Sequence, residues 1–350
     1  TLYHEKNVYA NRSLGATDIS AELGQLNSGV FDNKLGVSQT FQFPIVFKRQ
    51  KALNEGLIKA SKANEVLSKL EAQQKAASLY VFMQNYQQQK DLLQENQKIY
   101  QEFLNKANLR LKKGETNQSE VSTAIIQLKS IENQMRMTDT ALQNTARQLQ
   151  YITNSDQPII PSQTSTDWSS LLSSLFNENH PLLEVSKENI EISALEAEVE
   201  KSKKTPSISL GYNNQSFRDV DHRRYSSGMI GLQVPIFNKG INSSIEAAKV
   251  KVEMAKQEYK IKDAQLKQQY DVLQQQIANY DAVVSDYESH QIPASNQLQK
   301  IINRQLLEGE INFLDWVILN NQIIDVKTKY LESKLEKEKT LAELYYYTNN

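Results

Sequence analysis

The chain has 350 residues, with 40 basic and 41 acidic side chains and a net charge of −1. That balance offers no field for a nucleic acid or other polyanion, and the absence of cysteine excludes disulfide scaffolds, thiolate zinc sites and cysteine nucleophiles. No run of about 18 apolar residues exists, which excludes a membrane-spanning helix but not a spanning β-barrel, whose alternating strands average out in hydropathy.

Only 11 glycines and 7 prolines punctuate the chain, against usual usage of roughly 7% and 5%, so the elements are few and long. The first residue is Thr1, and only residues 1–16 precede the first structured segment. A truncated or excised piece of a longer protein is therefore expected.

Residues 17–26 alternate, with Ile19, Ala21 and Leu23 on one side and Ser20, Glu22 and Gly24 on the other. Residues 34–43 put Leu35, Val37, Phe41 and Phe43 opposite Gly36, Ser38, Thr40 and Gln42. Together they predict a β-hairpin over 17–43. From Lys48 to Leu111 there is no proline and one glycine, in a run of strong helix formers. A continuous helix there spans roughly 95 Å at 1.5 Å per residue. Residues 112–120 form a turn about Gly114. A return helix over 121–152 follows, with a heptad seam of Val121, Ala124, Leu128, Ile131, Met135, Thr138, Leu142, Thr145, Leu149 and Ile152.

Residues 153–167 are a Pro/Ser/Thr/Asp linker. A helix over 168–204, interrupted near His180 and Pro181, leads to a second hairpin over 206–235. There Ile208, Leu210, Tyr212, Ile230, Leu232 and Val234 alternate with small or polar residues. A long helix over 241–307 carries the seam Ile245, Val252, Tyr259, Leu266, Leu273, Tyr280, Tyr287, and Pro293 is expected to bend or break it. A tip at 308–315 and a return helix over 316–347, with Leu314, Val317, Ile324, Leu331 and Leu335 on its seam, complete the chain.

The order hairpin, long helix, glycine turn, return helix thus occurs twice, as residues 1–152 and 168–350. Gly114-Glu115-Thr-Asn117 matches Gly309-Glu310-Ile-Asn312 at an offset of 309 − 114 = 195. Such an internal repeat implies duplication and pseudo-symmetric packing. The strands have the length of a tilted membrane-crossing strand. Four strands cannot close a barrel, and open edges cannot sit in lipid. If the strands span, several copies must share one barrel, and three copies supply twelve strands. The alternative is a soluble coiled-coil scaffold with packed hairpins, in which the same apolar residues would be buried within one molecule.

Four motifs carry a family resemblance: His180-Pro181-Leu182-Leu183, Thr205-Pro206-Ser207-Ile208-Ser209-Leu210-Gly211, Leu232-Gln233-Val234-Pro235-Ile236-Phe237 with Gly240, and Ile292-Pro293 through Gly309-Glu310-Ile311 to Leu314-Asp315. In this order they resemble the TolC family of outer-membrane efflux channels over almost the whole chain. The first hairpin resembles the heavy-metal-efflux branch. The resemblance implies a mainly α fold of long helical hairpins (an α-barrel) plus two β-hairpins, contributing four strands to a shared trimeric outer-membrane barrel. The ascending helix that precedes the first hairpin in the family is largely missing. It implies a homotrimer in the outer membrane with a periplasmic extension, working with a periplasmic adaptor and an RND-type inner-membrane transporter to export small molecules or metal cations.

No catalytic residue, metal site or cofactor is expected. The four histidines, His4, His180, His222 and His290, are scattered without ligand spacing, and a passive duct needs no bond-making step. The resemblance makes Lys113, Gly114, Glu115, Glu308, Gly309 and Glu310 adaptor contacts, with the glycines closing their helices in a left-handed turn. Six residues past each glycine stand Glu120 and Asp315, carboxylates at the place where the family lines its constricted entrance. In a trimer Asp315 makes a ring of three charges. Ile318 stands where the family often has a second acid. The glutamine-rich stretch Gln84–Gln101 reads as a solvated helix face, with the lining of a wet lumen as its functional alternative, and Tyr86, Tyr100, Tyr259, Tyr280 and Tyr287 read as packing residues rather than substrate contacts.

Overall fold

The computed structural model describes residues 3, 6, 15–26, 29–161, 175–218, 221 and 223–348. The expectations for residues 162–174, including a helix start at Trp168, and for His4 and His222 fall outside them. In chain order the elements are β1 (Thr17–Gly24), β2 (Asp32–Gln42), α1 (Pro44–Lys112), α2 (Gln118–Thr153), α3 (Pro181–Ser202), β3 (Ser207–Ser216), β4 (Arg224–Gln233), α4 (Lys239–Asp286), a π-helical turn (Tyr287–Gln291), α5 (Ile292–Glu308) and α6 (Phe313–Thr348).

The chain divides into two compact units, and each draws on both halves of the sequence. One comprises residues 1–67 and 181–264, the other residues 68–180 and 265–350. The reason is the pairing. The two hairpins bond to each other rather than to the helices that follow them, giving one antiparallel sheet in the order β1-β2-β3-β4.

In the first unit, the register aligns Ile19 with Val37 and Tyr212, and Ala21 with Leu35 and Asn214. It also aligns Phe41 with Ile208 and Leu232, and Leu210 with Ile230. One face is therefore apolar along most of its length, because the side-chain period of a strand is two. Among the described residues nothing covers it: Ile19 is 80% exposed, Ile230 83% and Leu232 63%. The other face is crowded with small residues. A Cβ at Gly36 would lie 2.7 Å from both Ser20 Oγ and Asn213 Oδ1, side chains of the two flanking strands. Among the helices of this unit, α1 and α3 meet closely at Gly56, where a Cβ would sit 2.8 Å from Leu195 Cδ1. Arg49 and Glu198 (3.2 Å) and Lys251 and Glu196 (2.5 Å) form ion pairs around that contact.

In the second unit, α1 and α2 pair antiparallel through the heptad seam. Val121, Ala124, Leu128, Ile131, Thr138, Thr145 and Leu149 are all buried. Lys90 and Asp139 bridge the pair at 2.7 Å. On the return helix α6 the expected seam holds at Val317 and Leu331, which are buried, but Leu314 is exposed while Phe313, Trp316, Asn320 and Ile323 are buried, because larger aromatic side chains claim the start of the seam. Gln84 and Asn85 are likewise buried rather than solvated. Asn85 Nδ2 donates to the Leu331 carbonyl at 2.9 Å, and Gln89 Nε2 donates to Asn85 Oδ1 at 2.7 Å. This stretch of α1 faces α6 as well as α2, and its amides bond at that second contact.

Of the helix expected over 168–204 with an interruption near His180 and Pro181, the described part runs over Pro181–Ser202, and it opens on a proline, favoured there because the first helical N–H has no partner to lose. The effect of Pro293 is also more specific than a bend. α4 ends at Asp286, five residues run as a π turn, and α5 restarts with proline in its first turn. Proline offers no N–H and its ring crowds the preceding turn. A π turn, closed here by Ile292 N–H to the Tyr287 carbonyl, absorbs the misfit. Tyr330 from α6 donates to Glu288 Oε1 at 2.8 Å across this turn, and its phenol is pushed up to about 12 by burial and by that carboxylate.

His180 is fully buried. Its Nε2–H donates to the Tyr346 carbonyl at 2.8 Å, and its ring packs edge-on against the Tyr346 ring. Burial lowers its pKa and the carbonyl bond only partly opposes this. A histidine whose folded pKa is depressed stabilises the fold above the unfolded value of about 6.5, and that contribution is lost as pH falls through the folded value. Thermal melts at pH 7.5 and pH 5 are expected to show a larger acid-induced drop in Tm for the wild type than for His180→Gln.

Candidate gate and docking tips

Both helical hairpins reverse by the same device. α1 ends at Lys112 and Gly114 takes φ +75°; α5 ends at Glu308 and Gly309 takes φ +78°. In this left-handed region glycine carries no Cβ penalty. The last carbonyls are then recovered. Glu115 N–H bonds to the Arg110 carbonyl, and Glu310 N–H to the Gln305 carbonyl, each at 2.9 Å. An asparagine then opens each return helix. Asn117 Oδ1 accepts from Glu120 N–H at 3.2 Å, and Asn312 Oδ1 from Asp315 N–H at 2.9 Å. Glu120 and Asp315 are thus third-position acids behind an asparagine N-cap, where the positive end of the helix dipole favours a carboxylate.

The two carboxylates differ in what surrounds them. Glu120 lies 3.7 Å from Arg110 Nη1, with its side chain 13% exposed. Asp315 is exposed, and among the described residues no cation lies within ion-pair distance of it. The sequence offset explains this: 195 positions after Arg110 stands Gln305, which carries no charge. The nearest cation on α5, Arg304, bridges to Glu308 at 3.6 Å instead.

Between the tips lies a cleft of about 870 Å³. Its floor is apolar, with Phe103, Leu306 and Ile311. Lys106 and Arg110 stand on the α1 and α2 side together with Glu102 and Glu120, and Glu308 and Glu310 on the α5 side. Lys113, Gly114 and Glu115 of the first tip do not line this cleft; Glu308, Gly309 and Glu310 of the second do.

Beneath the cleft, the hairpins are joined by an aromatic stack and a buried polar layer. Phe103 and Phe313 stack with centroids 3.4 Å apart, and Trp316 lies 5.7 Å from Tyr100, edge to face. Tyr100 O–H donates to Asn321 Oδ1 at 3.0 Å and accepts from Asn320 Nδ2 at 3.3 Å. Gln299 Nε2 donates to Asn320 Oδ1 at 2.8 Å, and Trp316 Nε1–H to Asn303 Oδ1 at 2.9 Å. Burial raises the Tyr100 pKa, so the phenol stays a neutral donor. The helix α6 thereby bonds to α1 and α5 at fixed register. Sequence reading assigned Tyr100 to packing. The signal for its polar role was available in the Asn320-Asn321 pair, which lies on an otherwise apolar heptad face.

No family model and no curated protein matches the sequence. Solved structures match nearly all of it. The channel-forming protein CusC aligns with 14% identity and a TM-score of 0.76 over 98% of this chain and 86% of its own. The outer-membrane channel OprN aligns with 14% identity and a TM-score of 0.77 over 99% and 83%. The CmeC outer-membrane channel of Campylobacter jejuni aligns with 14% identity and a TM-score of 0.75 over 99% and 80%. The chain therefore has the fold of the TolC-like outer-membrane channels, the fold expected from its four motifs.

Truncating Trp316 to alanine should cost about 3–5 kcal/mol, the usual range for a buried large aromatic, read as a fall in the denaturant midpoint. Tyr100→Phe keeps the ring but strips a hydrogen-bond partner from buried Asn320, and should cost about 1–3 kcal/mol in the same measurement.

Proposed function

We propose that this chain is one of three identical subunits of an outer-membrane channel, the passive export duct of a tripartite efflux system. The observation that carries the proposal is the sheet. It has four strands, an uncovered apolar face, and two edge strands, β1 and β4, each bonded on one side only. An exposed apolar face suits lipid, but unpaired backbone edges do not, since each unsatisfied N–H or C=O costs several kcal/mol in hydrocarbon. Pairing β1 of one copy with β4 of the next removes both edges, and three copies close a twelve-stranded barrel. The crowded glycine and serine face then lines the lumen, where small side chains let the sheet curl. The scaffold alternative requires Ile19, Leu23, Leu210 and Ile230 to be buried, and they are exposed.

The helices belong to the periplasmic side, with the tips toward the inner membrane. An RND-type transporter supplies the energy and an adaptor joins it to the duct. The adaptor docks at the tips, with Lys113, Gly114 and Glu115 on one hairpin and Glu308, Gly309 and Glu310 on the other. The apolar cleft, edged by charged side chains, accepts a helical tip. Asp315, uncompensated and exposed, forms the three-charge ring of the entrance. It repels itself and attracts cations, consistent with a cargo of small molecules or metal cations. Glu120, held against Arg110, contributes less field to the lumen.

The chain purified in detergent should be trimeric and should precipitate or aggregate on detergent removal. A soluble monomer would end the channel reading. In planar bilayers the trimer should conduct with cation preference. Asp315→Ala should shift the reversal potential toward non-selectivity, and an unchanged reversal potential would remove Asp315 from the entrance. Reversing Glu308 and Glu310 to lysine should abolish efflux in a complemented deletion strain while leaving trimer yield intact.

A further inference from the structure

On the apolar face of the sheet, the rows change character toward the end that carries the hairpin loops. The helices attach at the opposite end, through Pro44, Ser202 and Lys239. Moving away from them, the face runs from Phe41, Ile208 and Leu232 through Leu210 and Ile230 to Val37 and Tyr212. On β3 and β4 it then turns polar at Asn214 and Ser226 and ends with Arg224, while β1 and β2 stay apolar beside them at Ala21, Leu35 and Leu23, with Asn33 in the last row. The Tyr212 hydroxyl hydrogen-bonds Ser226 Oγ at 2.7 Å, placing an aromatic ring at the edge of the apolar band with its polar tip toward the polar rows.

Arg224 is held in place. Its Nε–H donates to Asn214 Oδ1, Nη1 to Asn33 Oδ1 at 2.7 Å, and Nη2 to the Asn214 carbonyl at 3.2 Å. All three acceptors are neutral, and among the described residues no carboxylate pairs with the guanidinium. Asp32, beside Asn33, is buried and accepts from the Ser216 hydroxyl at 3.2 Å and the Arg218 N–H at 2.9 Å, and Glu22 pairs with Lys34 at 2.8 Å on the opposite face. Asp221 is engaged by the Tyr225 hydroxyl and the Arg223 N–H. A guanidinium has five donors in a fixed fork. Three are used here to fix its plane, and two remain for a ligand.

We propose that Arg224, propped by Asn33 and Asn214, is a binding site for the phosphate of an anionic lipid headgroup at the loop-end rim of the barrel; this rests on the reading of the sheet as membrane-spanning. The apolar band below it supplies contact for acyl chains, and a fork of N–H donors matches phosphate oxygens two at a time. The position is consistent with the cost of charge in lipid. An arginine on the lipid face is expensive at midplane but nearly free at the interface. A charge so placed without an acidic partner is suited to a headgroup.

The test uses the full-chain trimer in vesicles or mixed micelles of stated composition: phosphatidylcholine alone, or with phosphatidylglycerol or lipid A added. Native mass spectrometry counts lipids retained per trimer. Wild type should retain one or both anionic lipids over phosphatidylcholine, and the two arms distinguish a glycerol phosphodiester from a sugar phosphate. Arg224→Gln should weaken that retention about tenfold, the effect of losing a charged hydrogen-bond donor. Lys34→Gln, which removes a cation from the opposite face, should leave it unchanged. Equal retention by wild type and Arg224→Gln, or equal loss in both variants, overturns the site. Should Arg224→Gln fail to assemble, the wild type decides alone: a Tm raised by either anionic lipid over phosphatidylcholine supports the site, and no rise in either arm overturns it. A trimer that enters bilayers without lipid preference ends this inference only. A chain that enters no bilayer ends the channel reading with it.

Discussion

A sheet edge in hydrocarbon has nowhere to send its hydrogen bonds, and the rest of this molecule follows from that. Four strands leave two rims of peptide groups unpaired within one chain, and in lipid each such group is costly. Water could satisfy those rims, but water would not tolerate the contiguous apolar face beside them. The shared barrel proposed for this chain reconciles the face with the edges. It also explains why the two hairpins, far apart in sequence, pair with each other. Joining β2 to β3 removes two of the four hairpin edges inside one chain and leaves two for neighbouring copies.

The same economy of polar groups governs the helical part. Long helices satisfy their own backbones, so the chain must attend only to their ends and to the amides it buries. At the ends, glycine and asparagine do the work twice over, at Gly114 and Asn117 and again at Gly309 and Asn312. Within the bundle, Asn85, Asn320 and Gln299 find partners across helices. Such pairs do little for net stability, but they penalise any sliding of one helix along another. The hairpin of α5 and α6 is tied to α1 by neutral hydrogen bonds and stacked rings.

Asymmetry between the two halves is where function concentrates. The tips share their backbone and their third-position acid but not their counter-charges. Arg110 faces Glu120, whereas the matching place before Asp315 holds Gln305. A duplicated element can thus keep one copy's acid in an ion pair and leave the other copy's acid without one.

Much of this was legible in the order of residues. Alternation at Ile208, Leu210 and Tyr212 fixed the strands, because a strand's faces are set by parity alone. The 3–4 spacing from Val121 to Leu149 fixed the α2 seam, because a helix turns at a constant pitch. Gly114 and Gly309 marked the reversals, since a left-handed turn demands glycine. Other features depended on which element lies opposite, and local sequence carries no record of that. Only the packed structure placed Phe313 and Trp316, rather than Leu314, on the α6 seam, and moved Gln84 and Asn85 from a wet face into a contact. The pairing of Glu120 with Arg110, the freedom of Asp315 and the neutral cradle of Arg224 were likewise decided there. Periodicity is a property of one element, whereas burial and charge compensation belong to the contact between two.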